Sequence, residues 1–312
     1  MENPTIHTIL GAGGAIGNEL VRELVARREH IRLVGRAPRP VPGVTEVIAA
    51  DLTGPAKTLA AVQGSRIVYL LVGLKYDSTV WRELWPRIMR NTIEACKRTG
   101  AKLIFFDNVY MYGRVSGPMT EKTPFNPCSR KGEIRARVAT ALLEEIKAGG
   151  LTALIARAAD FYGPQAPNSV ANLLVFKRLA SGRRAMCLVN DRVPHSYSYT
   201  PDAAKSLAML AADPRAWNQT WHVPTAASPP TGRDFIAMAA HEFGVPAKYS
   251  VLPKAVLRLA GLFDGNVRSS YEMLYQNQFE YVFDSDKFNR AYDFAPTPYA
   301  EGIRATAAVS RK

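Results

Sequence analysis

Seven residues near the N-terminus, Gly11-Ala12-Gly13-Gly14-Ala15-Ile16-Gly17, have the types and spacing to hold the pyrophosphate of a nucleotide. Without a Cβ, Gly11 permits a tight turn, Gly14 lets the backbone approach the phosphates, and Gly17 lets a following helix close on a sheet. Ala15 and Ile16 open that helix, whose first N–H groups are free to face an anion. Arg36 is the second feature with chemical content. Where a dinucleotide site selecting NAD shows an acidic residue for the ribose hydroxyls, this chain has Arg36, with Arg39 nearby. A guanidinium suits a 2′-phosphate, so NADP(H) is the favoured cofactor and NAD(H) the alternative. An arginine solvated past the end of a strand remains the plain reading of that position.

These residues need a strand before the glycines, a helix after them and a second strand ending at Arg36. Ile6, Ile9 and Leu10 predict the first strand. Leu20, Val21, Leu24 and Val25 recur at helical spacing, and Ile31, Leu33 and Val34 predict the next strand. The alternation continues with strands over 44–49, 66–72, 102–106 and 151–157 and helices over 55–62, 79–99 and 132–148. Strands separated by helix-length segments imply right-handed crossovers and a parallel sheet. The expected class is therefore α/β, a Rossmann-type doubly wound parallel sheet with a smaller C-terminal substrate lobe. Residues 1–164 form the dinucleotide-binding part and 165–312 mainly the capping lobe, with segments near 197–223 returning to the main sheet. Beyond 164 helices are expected over 172–182, 201–211 and 232–243, and strands over 197–200 and 220–223. In such a sheet the ligand lies past the strand C-termini. That puts Asp51-Leu52, Val72-Gly73-Leu74 and the segments 107–113 and 158–164 on the ligand side, with Asp51, Leu52, Val72, Gly73 and Ala158 expected against the cofactor.

Bulk composition narrows the classes. A chain of 312 residues with 47% hydrophobic content can bury a large core. The apolar run 67–74 is strand-sized, far short of a membrane span, and no signal-peptide pattern is seen at the N-terminus, so a soluble, cytoplasmic protein is expected. Cys96, Cys128 and Cys187 lack metal-ligand spacing, so reduced thiols and no metal site are expected. A formal charge of +13 raises the question of nucleic acid. The basic residues are scattered, no nucleic-acid module is present, and an anionic cofactor with a small-molecule substrate accounts for the charge more simply.

The chain resembles an extended short-chain dehydrogenase/reductase of the NAD-dependent epimerase/dehydratase group. The resemblance rests on the glycine turn, Asp51-Leu52, Asn91, Val109-Tyr110-Met111-Tyr112-Gly113, Arg157 with Phe161-Tyr162-Gly163-Pro164, and Tyr199-Thr200-Pro201-Asp202-Ala203, and it covers nearly the whole chain. It implies chemistry by a Tyr-x-x-x-Lys pair on one helix and a Ser or Thr after the preceding strand. In that pattern the Tyr moves a proton as hydride is transferred, and the Lys holds the ribose and lowers the Tyr pKa. Aligning 127–136 puts Lys131 at the tyrosine position and Arg135 at the lysine position, while Asn108 stands for the Ser or Thr. The resemblance is to an atypical member that keeps the nucleotide site and changes its proton-handling residues.

Three readings of that change stay open. Lys131 can act as the acid, its proton affinity lowered by Arg135 and a cationic nicotinamide, or it can simply hydrogen-bond the ribose beside Arg135. Tyr110 can supply the proton, because dehydratase relatives place an acidic catalytic side chain there, or it can be packing. Otherwise the protein has no proton-transfer chemistry and senses or carries a dinucleotide, in an RNA-associated role in one version of that reading. Asn108 offers an amide donor for a substrate carbonyl. Tyr76, Trp81 and Tyr162 are candidate substrate contacts, with Lys75 and Trp85 close by in sequence. His195 lies where relatives that bind nucleotide-sugars carry an arginine for the diphosphate, which counts against such a substrate. As an isolated histidine it is also a candidate structural residue. The aromatic segments 271–276 and 281–287 close over the pocket or dock on the core. The expected function is an NADP-preferring oxidoreductase acting on a small apolar carbonyl, alcohol or activated alkene. The alternatives are an epimerase or dehydratase with bound NAD(P) and a non-catalytic regulator. Family analogy suggests a homodimer through the helices at 79–99 and 132–148.

Overall fold

The computed structural model describes residues 5–311. The first half alternates strictly: β1 (Ile6–Leu10), α1 (Ala15–Ala26), β2 (His30–Gly35), β3 (Glu46–Ala49), α2 (Pro55–Val62), β4 (Ser65–Leu70), α3 (Ser78–Thr99), β5 (Lys102–Asp107), α4 (Arg130–Lys147) and β6 (Ala153–Arg157). The second half holds β7 (Asp160–Tyr162), α5 (Lys177–Ala180), β8 (Ala185–Leu188), β9 (Tyr197–Tyr199), α6 (Thr200–Ala212), β10 (Thr220–His222), α7 (Gly232–Phe243) and β11 (Tyr249–Leu252). It ends with α8 (Lys254–Ala260), α9 (Gly265–Ser270), α10 (Tyr275–Gln278), α11 (Asp286–Ala291) and α12 (Tyr299–Ser310).

Seven strands form one parallel sheet in the order β10-β6-β5-β4-β1-β2-β3. Successive strands run one way from β1 and the other way from β4, so the sheet has its switch point between these two, where α/β sheets bind ligands. Alternation along each strand feeds two cores. Ile67, Tyr69, Ile104 and Phe106 face a layer with Leu20 and Leu24 of α1 and Leu207 of α6. Val68, Leu70, Leu103 and Phe105 face one with Trp85, Ile88 and Val138 of α3 and α4. A sheet covered on both faces explains the near-continuous apolar strands.

Local chemistry sets the ends of the helices. Asp77 caps α3 by accepting from Thr79 and Val80 backbone N–H, Ser129 caps α4 at Gly132, and Thr231 with Asp234 forms a capping box on α7. Gly100 (φ +71°) ends α3 in the left-handed region.

The second half departs from expectation in several places. The helix expected over 172–182 starts as a wide π turn at Asn172–Phe176, where Asn172 Nδ2 donates to Gly163 O at 2.9 Å, and stops before Gly182 (φ +67°). β9 pairs with β7 in a separate two-stranded sheet, whereas β10 joins the main sheet beside β6. β8 pairs with β11, and neither is long enough to show a periodicity in sequence. Together these pieces surround a third core of Tyr162, Phe176, Phe235 and Ile303. Among the described residues no helix is long and apolar enough to cross a membrane, and no group of His, Cys, Asp or Glu is placed to hold a metal ion.

Candidate active site

The glycine turn lies at the switch point. Gly11 has φ +110°, its N–H donates to Val34 O, and a Cβ there would stand 2.7 Å from the Leu71 carbonyl carbon and Val72 N. Val72, expected beside the cofactor, is thus brought against the turn at the end of β4. Gly17 closes α1 on the sheet, since a Cβ would sit 3.4 Å from Gly11 O. Gly14 is different: a Cβ would meet only Gly11 O, at 3.6 Å, so nothing inside the protein requires glycine there. It caps α1 with no side-chain bond, and the first turn of Ala15, Ile16 and Gly17 carries no acidic residue. Bare amides, helix dipole and missing Cβ fit a dinucleotide pyrophosphate. Arg36 is exposed just past β2. Asp51, after β3, accepts from Thr53 N and Oγ1; these bonds hold its carboxyl below the usual range, with the Arg36 charge acting in the same direction. Leu52 is buried and its carbonyl accepts from Asn91 Nδ2 at 2.9 Å.

The two residues at the Tyr-x-x-x-Lys positions are both engaged. Arg135 is buried, donates from Nε to Asp107 Oδ1 at 2.7 Å and from Nη2 to the same oxygen, and lies 4.2 Å over the Trp85 ring. Asp107 ends β5 and also accepts from Asn108 N, while its Oδ2 has no hydrogen-bond partner among the described residues. The Arg135 guanidinium is thereby paired with a carboxylate in the interior. Lys131 Nζ donates to Glu272 Oε1 (2.8 Å) and Ser269 O (2.5 Å) and lies 4.5 Å over the Tyr76 ring. Glu272 Oε2 also accepts from Arg130 N, so one carboxylate clamps the start of α4 to the C-terminal lobe. The charge facing Lys131 Nζ in the fold is thus the Glu272 carboxylate.

Aromatic side chains stand in front of this clamp. Tyr76 Oη donates to Tyr110 Oη at 3.1 Å, and Trp81 stacks on Tyr110 at 6.2 Å between centroids. Trp81 itself is buried and donates to Lys75 O. Burial pushes the Tyr110 hydroxyl well up, and the charge of Asp160 adds to this. Asn108 Oδ1 accepts from Tyr110 N at 3.0 Å, and its amide N–H groups make no bond among the described residues, which leaves them able to donate to a ligand. Beyond Ala158, whose N–H donates to Asp107 O, Asp160 Oδ2 lies 2.9 Å from His195 Nε2.

Tyr162 requires a correction. Expected against substrate, it is 1% exposed and packed by Tyr199, Phe235 and Tyr299, because β7 turns it into the lobe core.

Residues 7–223 match the NAD dependent epimerase/dehydratase family. The chain belongs to that family. No curated protein matches it in sequence. Among solved structures it is similar to MoeE5 in complex with UDP-glucuronic acid and NAD (18% identity, TM-score 0.80, covering 98% of this chain and 99% of that one). It is also similar to Thermus thermophilus UDP-glucose 4-epimerase with NAD (19%, 0.79, 98% and 99%). A third likeness is to DesIV, a dTDP-glucose 4,6-dehydratase from Streptomyces venezuelae with NAD and TYD bound (16%, 0.81, 98% and 97%). At these identities the likeness is one of fold.

Within this epimerase/dehydratase family member, one network lies behind the site. Arg157 Nη1 donates to Tyr112 Oη (2.7 Å), Tyr112 Oη pairs with His222 Nε2 (2.8 Å), and His222 Nδ1 pairs with Asp284 O (2.6 Å). Because Tyr112 accepts from Arg157, it donates to Nε2, which fixes His222 as the neutral Nδ1–H tautomer. Asp107, Asp160 and Glu272 lie in segments that the sequence places near the site, but the sequence assigns none of them a role or a partner. Each is an ordinary acidic residue in sequence, and only the fold supplies its cationic or imidazole partner.

Proposed function

We propose that this protein is an NADP-preferring oxidoreductase that moves hydride to or from a small, largely apolar carbonyl, alcohol or activated alkene. The observation that carries the reading is the Asp160–His195 pair, 2.9 Å apart, at the place where the family resemblance puts an arginine for a nucleotide-sugar diphosphate. A carboxylate there repels a diphosphate. Tyr76, Trp81 and Tyr110 beside it suit a flat apolar substrate instead. Support for NADP comes from exposed Arg36, which is free to take a 2′-phosphate, and from the absence of an acidic residue at that position. A bound dinucleotide supplies the hydride chemistry, while the glycine turn fixes its pyrophosphate and Asn108 orients a substrate oxygen.

The test is oxidation of NADPH and NADH by the purified protein with aldehydes, ketones and enones. Turnover with NADPH preferred over NADH is expected. Tight dinucleotide binding without turnover of any of them overturns the oxidoreductase reading. Turnover of a UDP- or dTDP-sugar would favour the epimerase or dehydratase alternative.

A further inference from the structure

Asp160 opens β7 just past β6, on the ligand side of the sheet. It and His195 differ in exposure: the His195 side chain is 5% exposed and that of Asp160 28%. The imidazole therefore lies beneath, and the carboxyl forms the surface. His195 cannot follow a ligand, because its ring stacks on Tyr281 at 4.4 Å and tilts against Tyr197 at 4.7 Å, and its backbone N–H donates to Pro230 O. Asp160 Oδ2 is committed to His195, while its other oxygen has no partner among the described residues.

Burial raises the hydroxyls of Tyr76, Tyr110, Tyr197, Tyr275 and Tyr281 above their ordinary range, and the Asp160 charge adds to this at each of them. The buried Tyr275 hydroxyl has no hydrogen-bond partner at standard distances among the described residues. A purely structural role explains little of this. β7 and β9 are already joined through their backbones, with Asp160 opposite Tyr197, and do not need a partly exposed carboxylate to tie them.

We propose that Asp160 is the proton-transferring group of this site and that His195 is its positioning residue. The proposal rests on the oxidoreductase reading above. In the oxidising direction the substrate O–H bond breaks and its proton passes to the free Asp160 oxygen. The electron pair of the adjacent C–H bond leaves with its hydrogen as hydride to NADP⁺, giving a carbonyl compound and NADPH. Asp160 then releases the proton to solvent at its exposed edge, and reduction is the reverse. His195 holds Oδ2, so that the other oxygen is the one presented, as an orienting partner does for a general base.

The experiment compares wild-type protein with Asp160→Asn and His195→Gln in NADPH-dependent turnover, with dinucleotide binding and thermal unfolding as checks on the fold. Asp160→Asn is expected to lower kcat by about a hundredfold or more, with KM and dinucleotide Kd within about threefold. His195→Gln is expected to lower kcat by about tenfold with KM unchanged. Should Asp160→Asn fail to fold, Asp160→Glu against Asp160→Gln makes the same comparison, with the carboxyl variant the more active. A readout that needs no cofactor is the imidazole ¹H–¹⁵N spectrum of protein labelled at histidine. A hydrogen-bonded Nε2–H resonance that is lost in His195→Gln and shifted in Asp160→Ala is expected. An unshifted resonance in Asp160→Ala overturns the pairing. Wild-type turnover that survives Asp160→Asn within threefold overturns the proposal alone, whereas absence of wild-type turnover overturns the oxidoreductase reading and the proposal with it.

Discussion

Arg135 Nε donates to Asp107 Oδ1 at 2.7 Å, joining α4 to the end of β5 through two charges that water does not reach. Removing one partner from a buried pair strands the other, at a cost of about 3–5 kcal/mol. Arg135→Met is therefore expected to destabilise the fold by about that much in urea unfolding. Arg135→Met combined with Asp107→Leu should recover most of the loss. A single variant within about 1 kcal/mol of wild type would show that the pair does not anchor α4.

Gly11 and Gly14 are expected to behave differently. Gly11→Ala drives a Cβ to within 2.7 Å of the Leu71 and Val72 backbone at φ +110°, so both stability and dinucleotide binding should fall. Gly14→Ala has room within the protein and should leave the melting temperature nearly unchanged while weakening dinucleotide binding at least about tenfold. Equal effects of the two substitutions on stability would mean that Gly14 serves packing and not the phosphates.

Such separations mark what the sequence could carry. The glycine turn was readable because its chemistry is local: strand, turn and helix follow within one stretch, and α2 and α7 end where their apolar spacing and flanking residues place them. The acidic partners were not. Asp107 lies 28 residues from Arg135, Asp160 lies 35 from His195, and Glu272 lies 141 from Lys131. Alignment with the family pattern found two cations in unusual places, but which carboxylate each one meets depends on how β5, β7 and the C-terminal segment pack. Tyr162 failed for the opposite reason, since its motif fixes its place in the chain but not the face of β7 that is buried.

Arg36→Ala tests the cofactor choice. A charge-assisted contact to a 2′-phosphate contributes about 1.5–3 kcal/mol, so NADPH affinity should fall about ten- to a hundredfold, with NADH affinity little changed. Fluorescence titration with both dinucleotides measures this. Equal losses would remove Arg36 from the 2′-phosphate role.

His222 gives the fold an acid limit. Burial, with Arg157 and Lys287 acting the same way, pushes its imidazole down from 6.5 to about 3. Between these values the unfolded chain binds a proton that the folded protein does not. The contribution of neutral His222 is full above about pH 6.5 and is lost as pH falls toward 3, amounting to roughly 5 kcal/mol. His222→Gln should flatten that part of the stability profile in urea titrations between pH 4 and 7. An unchanged slope would show that His222 does not set it.

The most direct test of the central claim follows the hydride itself. NADPH carrying deuterium at C4 of the nicotinamide, prepared on each face separately, is incubated with the protein and the aldehyde, ketone and enone substrates, and products are read by mass spectrometry. Deuterium is expected on carbon in the product from one face only, with stoichiometric NADP⁺. Tight NADPH binding with no label transferred from either face would contradict the claim.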